Sequence, residues 1–166
     1  MLKSLAIDPE YAPALLAVGS LEYQGRPEEA EKLFYRLLEL PEDTEDWEII
    51  VGEAVDFLID ENDLRRAEQL AREAVSRYPH VARYHRDLSY CLGEKSKLEE
   101  AAEEARRAWE CDTEDPEILS DIGWVLVEAE YYEEAETILM RAVKLAGPGY
   151  HLPQHNLDEL HRRMDR

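Results

Sequence analysis

The chain has 166 residues, which is enough for one compact domain or for a short array of repeats. Hydrophobic residues make up 45% of the sequence, so a buried core is expected although 35% of the residues are charged. The net charge of -20 argues against nucleic-acid binding, which requires lysine and arginine facing phosphates, and it favours cationic partners.

Apolar residues recur at helical spacing along most of the chain, and no segment of strand period has a useful length. In chain order the predicted helices form four pairs: 12–23 with 27–40, 45–60 with 63–77, 80–93 with 97–111, and 115–129 with 131–146. Turn residues separate these helices, among them Gly25, Pro27, Asn62 and Pro79. The sequence therefore predicts an all-α fold.

The second helices open with one shared pattern, seen in GRPEEAEKLF, NDLRRAEQLA, SKLEEAAEEA and EYYEEAETIL. Aligning these strings brings four alanines into register, at separations of 37, 34 and 34 residues: Ala30, Ala67, Ala101 and Ala135. A larger side chain at such a position would force neighbouring helices apart. The four alanines are therefore predicted to lie buried where helices approach closely.

The N-terminal end indicates an incomplete unit. Residues 1–8 are predicted to be the end of a second helix whose own first helix is missing, and three apolar side chains should lie against the first repeat: Leu2, Leu5 and Ile7. Each repeat leaves a hydrophobic face bare, so an uncapped end needs a neighbour. We therefore expect that the chain is either part of a longer repeat array or joined to another subunit at this edge.

The C-terminal segment 148–166 is predicted to form a further helix with Pro153 near its start. One stripe of this helix is apolar, and it contains Leu157, Leu160 and Met164. The opposite face is polar, which is typical of the helix that caps a stack of repeats.

The period and the small and large positions resemble those of the tetratricopeptide repeat family, a stack of helix–turn–helix units of about 34 residues. The resemblance covers residues 9–147, and the stretch YAPALLAVG looks like that of many bacterial members. Further matching positions are Leu15, Val18, Gly19, Phe34, Ala74, Ala108, Leu119, Ile122, Gly123 and Ala142. The resemblance implies a right-handed superhelical stack, one repeat domain over 1–166 with repeats at 9–41, 42–79, 80–113 and 114–147.

Several positions depart from the family pattern. No repeat has tryptophan at its first large position, which carries Leu15, Val51, His85 or Leu119. Val55 and Ser89 stand where the family has glycine, and Thr113 stands where it has a closing proline. These departures weaken the match of the second and third repeats, but the fixed period supports all four.

The stretch HRDLSYCLG, from His85 to Gly93, is similar to the catalytic loop of protein kinases. The kinase interpretation requires an asparagine where Leu92 stands, together with a glycine-rich loop, a strand lysine and a DFG motif. None of these is present in the sequence. Asp87 is therefore predicted to be a structural residue, and the chain is not expected to be an enzyme.

Other residues with possible chemistry also have simpler explanations. Cys91 and Cys111 are distant from each other and are expected to be small buried hydrophobes. His151 and His155 stand four residues apart, but Pro153 intervenes and no third ligand is near, so a solvated helix cap is favoured over a metal site. No phosphate loop, zinc pair or CxxC motif occurs, and no cofactor is expected.

Two features of the sequence bear on the location of the protein. No run of about eighteen apolar residues indicates a membrane span. The start MLKSLAIDP lacks the apolar core of a secretory signal. A cytoplasmic protein without membrane contact is therefore expected.

Members of the family usually bind peptides on a concave surface lined by the first helices. In this chain the corresponding stripe contains aromatic and arginine side chains, which dominate binding energy in many interfaces. The alternative is that Tyr90 and Trp124 pack together and seal neighbouring helices. The predicted partner-binding residues are Leu16, Ser20, Tyr23, Asp56, Ile59, Arg83, Arg86, Tyr90, Trp124 and Val127.

Two arginines suggest what the groove would recognise. Arg83 and Arg86 lie on one stripe and are predicted to hold a ligand carboxylate beside the rings of Tyr90 and Trp124. The partner is therefore expected to be neutral or basic overall, with one local carboxylate. The clamp that binds acidic chaperone tails is not expected, because only Arg83 keeps the required charge among the matching positions Leu16, Ser20, Glu53, Arg83 and Asp87.

The leading functional prediction is a protein-interaction module that binds a peptide segment without catalysis. Two alternatives remain open at this point. One is a structural scaffold that self-associates through its N-terminal edge. The other is a regulatory or substrate-presenting domain of an enzyme whose catalytic part lies elsewhere.

Overall fold

The computed structural model of the chain describes residues 11–41, 43–111 and 113–165, and within these ranges it contains nine helices and no strand. The chain divides into two compact units, of which the first ends at Tyr78 and the second begins at Pro79. This boundary lies within one residue of the predicted limit between the second and third repeats. Each unit therefore holds two of the four predicted helix pairs, and the single repeat domain stays a prediction.

The first unit is built from two antiparallel helix pairs. Its helices are α1 (Ala12–Tyr23), α2 (Pro27–Leu37), α3 (Trp47–Asp60) and α4 (Leu64–Arg77). Helices α1 and α2 contact each other, as do α3 and α4, and α2 also contacts both helices of the second pair. The predicted helix 27–40 ends earlier, at Leu37, because Leu40 precedes Pro41 and a residue before proline avoids the helical conformation.

The second unit has two pairs and one additional helix. Its helices are α5 (Ala82–Glu94), α6 (Leu98–Glu110), α7 (Pro116–Glu128), α8 (Tyr132–Leu145) and α9 (Leu152–Met164). Helix α7 contacts α5, α6, α8 and α9, so it lies at the centre of the unit. The predicted all-α helical repeat fold is confirmed.

Left-handed residues close three of the turns inside the helix pairs. Asn62, Ser96 and Glu130 have φ values of 59, 58 and 65°. In each turn the next residue donates its backbone N–H to the carbonyl five positions earlier, as Asp63 does to Leu58 at 2.9 Å. This arrangement satisfies carbonyls that the end of a helix leaves without partners. The expected left-handed role of Asn62 is therefore observed.

The four alanines in register are completely buried, each with 0% of its surface exposed: Ala30, Ala67, Ala101 and Ala135. Large apolar side chains of the same helix pairs are also buried, among them Phe34, Leu70, Leu119 and Leu139. This alternation of small and large residues is how helices pack at short distance without voids.

A polar contact is buried between α5 and α6. His85 Nδ1 lies 2.7 Å from Glu104 Oε2, and His85 Nε2 lies 3.0 Å from the carbonyl oxygen of Pro79. Glu104 also accepts a hydrogen bond from Arg107 at 2.7 Å. His85, which replaces the usual large apolar residue of the family, thus faces the interior as expected and has polar partners there.

Helix α9 forms at the predicted place, with Pro153, Leu157 and Leu160 buried. Met164, the last residue of the predicted apolar stripe, keeps 46% of its surface exposed in the last turn of the helix. Asn156 Nδ2 donates to Ser120 Oγ over 3.1 Å, which attaches α9 to α7. The predicted segment 1–8 lies outside the described residues.

Candidate functional site

The predicted binding residues of the first unit lie on α1 and α3 and are half-buried: Leu16, Ser20, Tyr23, Asp56 and Ile59. Ser20 donates its hydroxyl to the carbonyl of Leu16 within the same helix, at 3.0 Å. These five residues keep some surface on the first helices of the unit, so their role in binding stays a prediction.

Tyr23 has a structural role in the first unit. Its hydroxyl donates to Asp63 Oδ2 at 2.9 Å, and its ring meets Phe57 edge-on with centroids 5.4 Å apart. Burial, together with the hydrogen bond to Asp63, raises the pKa of the Tyr23 hydroxyl above its usual value. Tyr23 therefore connects the end of α1 to the start of α4, where Asp63 caps the helix.

Arg86 corrects the prediction of a carboxylate-binding pair of arginines in the second unit. Its side chain is only 11% exposed, with Nε 3.1 Å from Asp87 Oδ1 and Nη1 3.6 Å from Asp121 Oδ2. Two carboxylates of the chain itself therefore neutralise this guanidinium. Arg86 is committed to holding α5 against α7, and a ligand carboxylate would have to displace Asp87 or Asp121.

Asp87, the candidate base of the kinase-like stretch, has no exposed surface. A general base must come within hydrogen-bond distance of the proton that it abstracts, and a substrate hydroxyl cannot reach a carboxylate without exposed surface. Asp87 pairs with Arg86 inside the helix packing. Its place in the structure is therefore that of a buried ion-pair partner.

Val127 is a second correction, because it is completely buried and offers no surface to a partner. Ser120, on the same predicted stripe, is also completely buried. Ser120 is covered by α9, which packs against α7 and donates the hydrogen bond from Asn156 to Ser120. Spacing along α7 alone did not indicate that another helix covers part of this face.

Tyr90 and Trp124, from α5 and α7, line one depression with a volume of about 190 Å³. The depression is completed by Gly93, Glu94, Leu98, Val125 and Glu128. Tyr90 is 40% exposed, and Trp124 keeps part of its surface. Two aromatic rings, two aliphatic side chains and two carboxylates therefore meet on one surface of the second unit.

The ring of Trp124 already contacts one cation of the chain. The guanidinium carbon of Arg163, on α9, lies 4.9 Å from the ring centroid. Arg163 Nη2 is 2.8 Å from Glu128 Oε1, and Nε is 3.5 Å from Glu159 Oε1. Trp124 and Glu128 together thus hold a guanidinium, which is a combination of cation–π and charge-assisted contacts.

Glu94 and Glu128, the acidic part of this depression, were not among the predicted partner-binding residues. Glu94 follows Tyr90 by four residues, and Glu128 follows Trp124 by four, so both pairs share one helix face. This equal spacing on two first helices was the available signal. Arg163 could not be found in this way, because it is 35 residues from Glu128 and on another helix.

The remaining candidates for chemistry are separate from the depression. Cys91 is buried, and Cys111 is partly exposed, with burial raising the pKa of its thiol. His151 and His155 are exposed at the start of α9. Among the described residues, no group of three or more possible ligands could hold a metal ion, and no helix combines the length and apolarity that crossing a membrane requires.

The fold and the site are those of a helical repeat protein. Its second unit has an open surface on α5 and α7, the first helices of the two pairs. A family model described as "Tetratricopeptide repeat" matches residues 116–147, which contain α7 and α8. No curated protein sequence matches the chain.

Solved structures of the same fold include three proteins of low sequence identity. YrrB, described as a TPR protein with an unusual peptide-binding site, is 16% identical with a TM-score of 0.63, over 99% of this chain and 83% of its own. MamA is 20% identical with a TM-score of 0.54, over 86% of this chain and 82% of its own. Yeast Tom70 is 20% identical with a TM-score of 0.68, and 98% of this chain covers only 35% of that protein.

The predicted family is confirmed by these comparisons. The sequence match to the tetratricopeptide repeat model covers the fourth helix pair, and the structural likeness to proteins of this family establishes the fold. Repeat proteins of this architecture are typically interaction modules that use extended surfaces for binding.

Proposed function

We propose that this chain is a protein-interaction module that binds a peptide segment of its partner on the face formed by α5 and α7. The observation that carries this proposal is the open depression between Tyr90 and Trp124. Partly exposed aromatic side chains beside a depression are the anchors on which interface binding energy concentrates. The proposal includes no catalytic step, and Asp87, the candidate base of the kinase-like stretch, is completely buried.

The size of the depression supports recognition of a side chain from a larger partner. Its volume of about 190 Å³ lies below the range of roughly 300–1,000 Å³ that is usual for small-molecule sites. Arg83, also on α5 and half-buried, extends the same proposed surface toward the start of the helix. A short extended or helical segment would cover both positions.

A library of random nonapeptides, passed over the immobilised chain, tests this proposal. We expect Trp124→Ala and Tyr90→Ala to lower the fraction of the peptide library that is retained. The circular dichroism spectrum of each variant should equal that of the wild type, which shows that the helices remain folded. Met140→Ala is the matched control. It also truncates an apolar side chain, which is 57% exposed, but this side chain lies on α8, the second helix of its pair, outside the depression. Equal retention by all three variants, or no retention by the wild type, would contradict the proposal.

A further inference from the structure

We infer that the depression between Tyr90 and Trp124 is specific for a long cationic side chain, a lysine or an arginine of the bound segment. This inference rests on the proposed function and names the chemistry that the surface recognises. It replaces the predicted recognition of a carboxylate, which required Arg86 to be available.

The walls of the depression fit the aliphatic part of such a side chain. Tyr90 and Trp124 contribute aromatic surface, and Leu98 and Val125 contribute aliphatic surface. Lysine and arginine bury their methylene stems against apolar groups while the charged end stays near water. An acidic or short polar side chain would leave these walls without contact.

The charged groups of the depression are both carboxylates, Glu94 and Glu128. Both are exposed at the ends of their helices, and no cationic side chain contributes to the lining. Among the described residues Glu94 has no ion-pair partner, whereas Glu128 is engaged by Arg163. Glu94 is therefore the carboxylate that an incoming cation would meet first.

The contacts of Arg163 show that an aromatic ring and a carboxylate of this surface can bind a cation together. Its guanidinium rests over Trp124 at 4.9 Å and pairs with Glu128 at 2.8 Å, so one face of the ring and one carboxylate already bind a cation. The equivalent pair of ring and carboxylate on α5, Tyr90 with Glu94, has the same four-residue spacing. A basic side chain between Tyr90 and Trp124 would repeat this arrangement on the open side of the depression.

The net charge of the whole chain also favours a cationic segment. With a net charge of -20, the protein attracts cationic segments and repels acidic ones within about one Debye length of 8 Å at physiological salt. Binding of a basic segment should therefore weaken as salt is added, in addition to the local effect of Glu94.

Gly93 offers a way to close the depression without disturbing the fold. It lines the depression from α5, and a Cβ added there meets nothing within 4 Å. A larger side chain at this position therefore occupies the space that the cationic side chain would take. Gly93→Ala is the matched small substitution.

The test uses three nonapeptide libraries that differ only at the central position, which is lysine, norleucine or glutamate. We expect the wild type to retain the lysine library at least about tenfold better than the glutamate library. Glu94→Gln should lower retention of the lysine library by roughly two- to fivefold, since an exposed ion pair contributes less than about 1 kcal/mol. Gly93→Leu should abolish most of the retention of the lysine library, whereas Gly93→Ala should leave this retention unchanged.

Glu110→Gln is the charge-matched control, because it removes one exposed carboxylate at the end of α6, outside the depression. Retention of the lysine library should be unchanged in this variant. Equal retention of the three libraries, preference for glutamate, or equal losses in Glu94→Gln and Glu110→Gln would overturn the inference while leaving peptide binding intact. Failure of every library to bind would overturn the proposed function and the inference together.

Discussion

Gly123 lies directly against the side chain of Leu139, and a Cβ built at Gly123 would stand 2.7 Å from both Leu139 Cγ and Cδ2. Gly19 has the same relationship to Phe34, where the added Cβ would stand 2.4 Å from ring atom Cε1. Leu139 and Phe34 are almost completely buried. Glycine is therefore required in the first helix wherever the second helix places a large side chain opposite it.

Gly123→Ala should destabilise the second unit by roughly 1–3 kcal/mol, the usual cost of overpacking a close helix contact. Urea unfolding followed by circular dichroism measures this loss. Gly93→Ala is the matched control, since a Cβ there meets nothing and alanine favours the helix by up to about 1 kcal/mol. Equal effects of the two substitutions would show that the close approach does not matter.

The same rule explains two departures from the family pattern. Phe34 and Leu139 each follow a shared alanine by four residues, and the corresponding residues of the other two repeats are Ala71 and Ala105. These smaller residues leave room for Val55 and Ser89 where the family has glycine, and all four side chains are completely buried. Loss of the glycine is thus compensated by loss of the large residue opposite.

A double-mutant cycle checks this compensation in the third repeat. Ala105→Leu alone should destabilise the chain by overpacking against Ser89. Combined with Ser89→Gly, it should cost less than the sum of the two single substitutions, with a coupling of about 0.5–3 kcal/mol. Strict additivity would mean that residues 89 and 105 do not share one packing site.

Truncation of Arg86 should cost about 3–5 kcal/mol, because it removes a cation that pairs with the completely buried Asp87. Arg86→Glu should be worse, since it adds a third carboxylate beside Asp87 and Asp121. Arg162→Ala, on the exposed surface of α9, is the control and should change stability much less. A small effect of Arg86→Ala in urea unfolding would argue that Arg86 is available to a ligand after all.

The carboxylate of Asp63 makes the stability of the first unit depend on pH in the acidic range. Burial alone would raise the pKa of Asp63, but hydrogen bonds from the backbone and side chain of Arg66 and from Tyr23 outweigh it and hold the pKa below its usual value. The stabilisation is therefore complete above the unfolded pKa of about 3.9 and is lost as the pH falls through the lower folded value.

This acid dependence should diminish in Asp63→Asn, which keeps the helix cap without the titrating group. Urea unfolding at several values between about pH 5 and pH 2 measures the slope of stability against pH. The variant should be less stable than the wild type near pH 5, and the difference should narrow toward pH 2. A constant difference over this range would contradict the role of the charge on Asp63.

The helices were predictable because their signals are local. Alanine spacing, Pro27 and Asn62 determine the pairs within a few residues, and the confirmed family follows from the same pattern. The depression was only partly predictable. Tyr90 and Trp124 were found from helix periodicity. The burial of Val127 was not indicated by its position on α7, and the burial of Ser120 involves Asn156 of α9, which comes later in the chain.

The ion pairs of Arg86 could not be predicted from the sequence for the same reason. Its stripe position suggested an exposed guanidinium, but Asp121 reaches it from α7, 35 residues along the chain. The pairing of Arg86 with Asp121 depends on the approach of α5 and α7. Sequence periodicity places a residue on a helix face and does not determine its partner on another helix.

Binding at the face of α5 and α7 can be followed through the indole N–H signals of the three tryptophans in a ¹H–¹⁵N NMR spectrum. Trp47 serves as an internal reference, since its indole nitrogen donates to the carbonyl of Leu37 in the core of the first unit, and Trp109 reports on α6. On titration with a lysine-centred nonapeptide selected from the library, the signal of Trp124 should shift in proportion to saturation while those of Trp47 and Trp109 stay in place. A saturating shift of Trp109 or Trp47 with Trp124 unchanged would contradict binding at the face of α5 and α7.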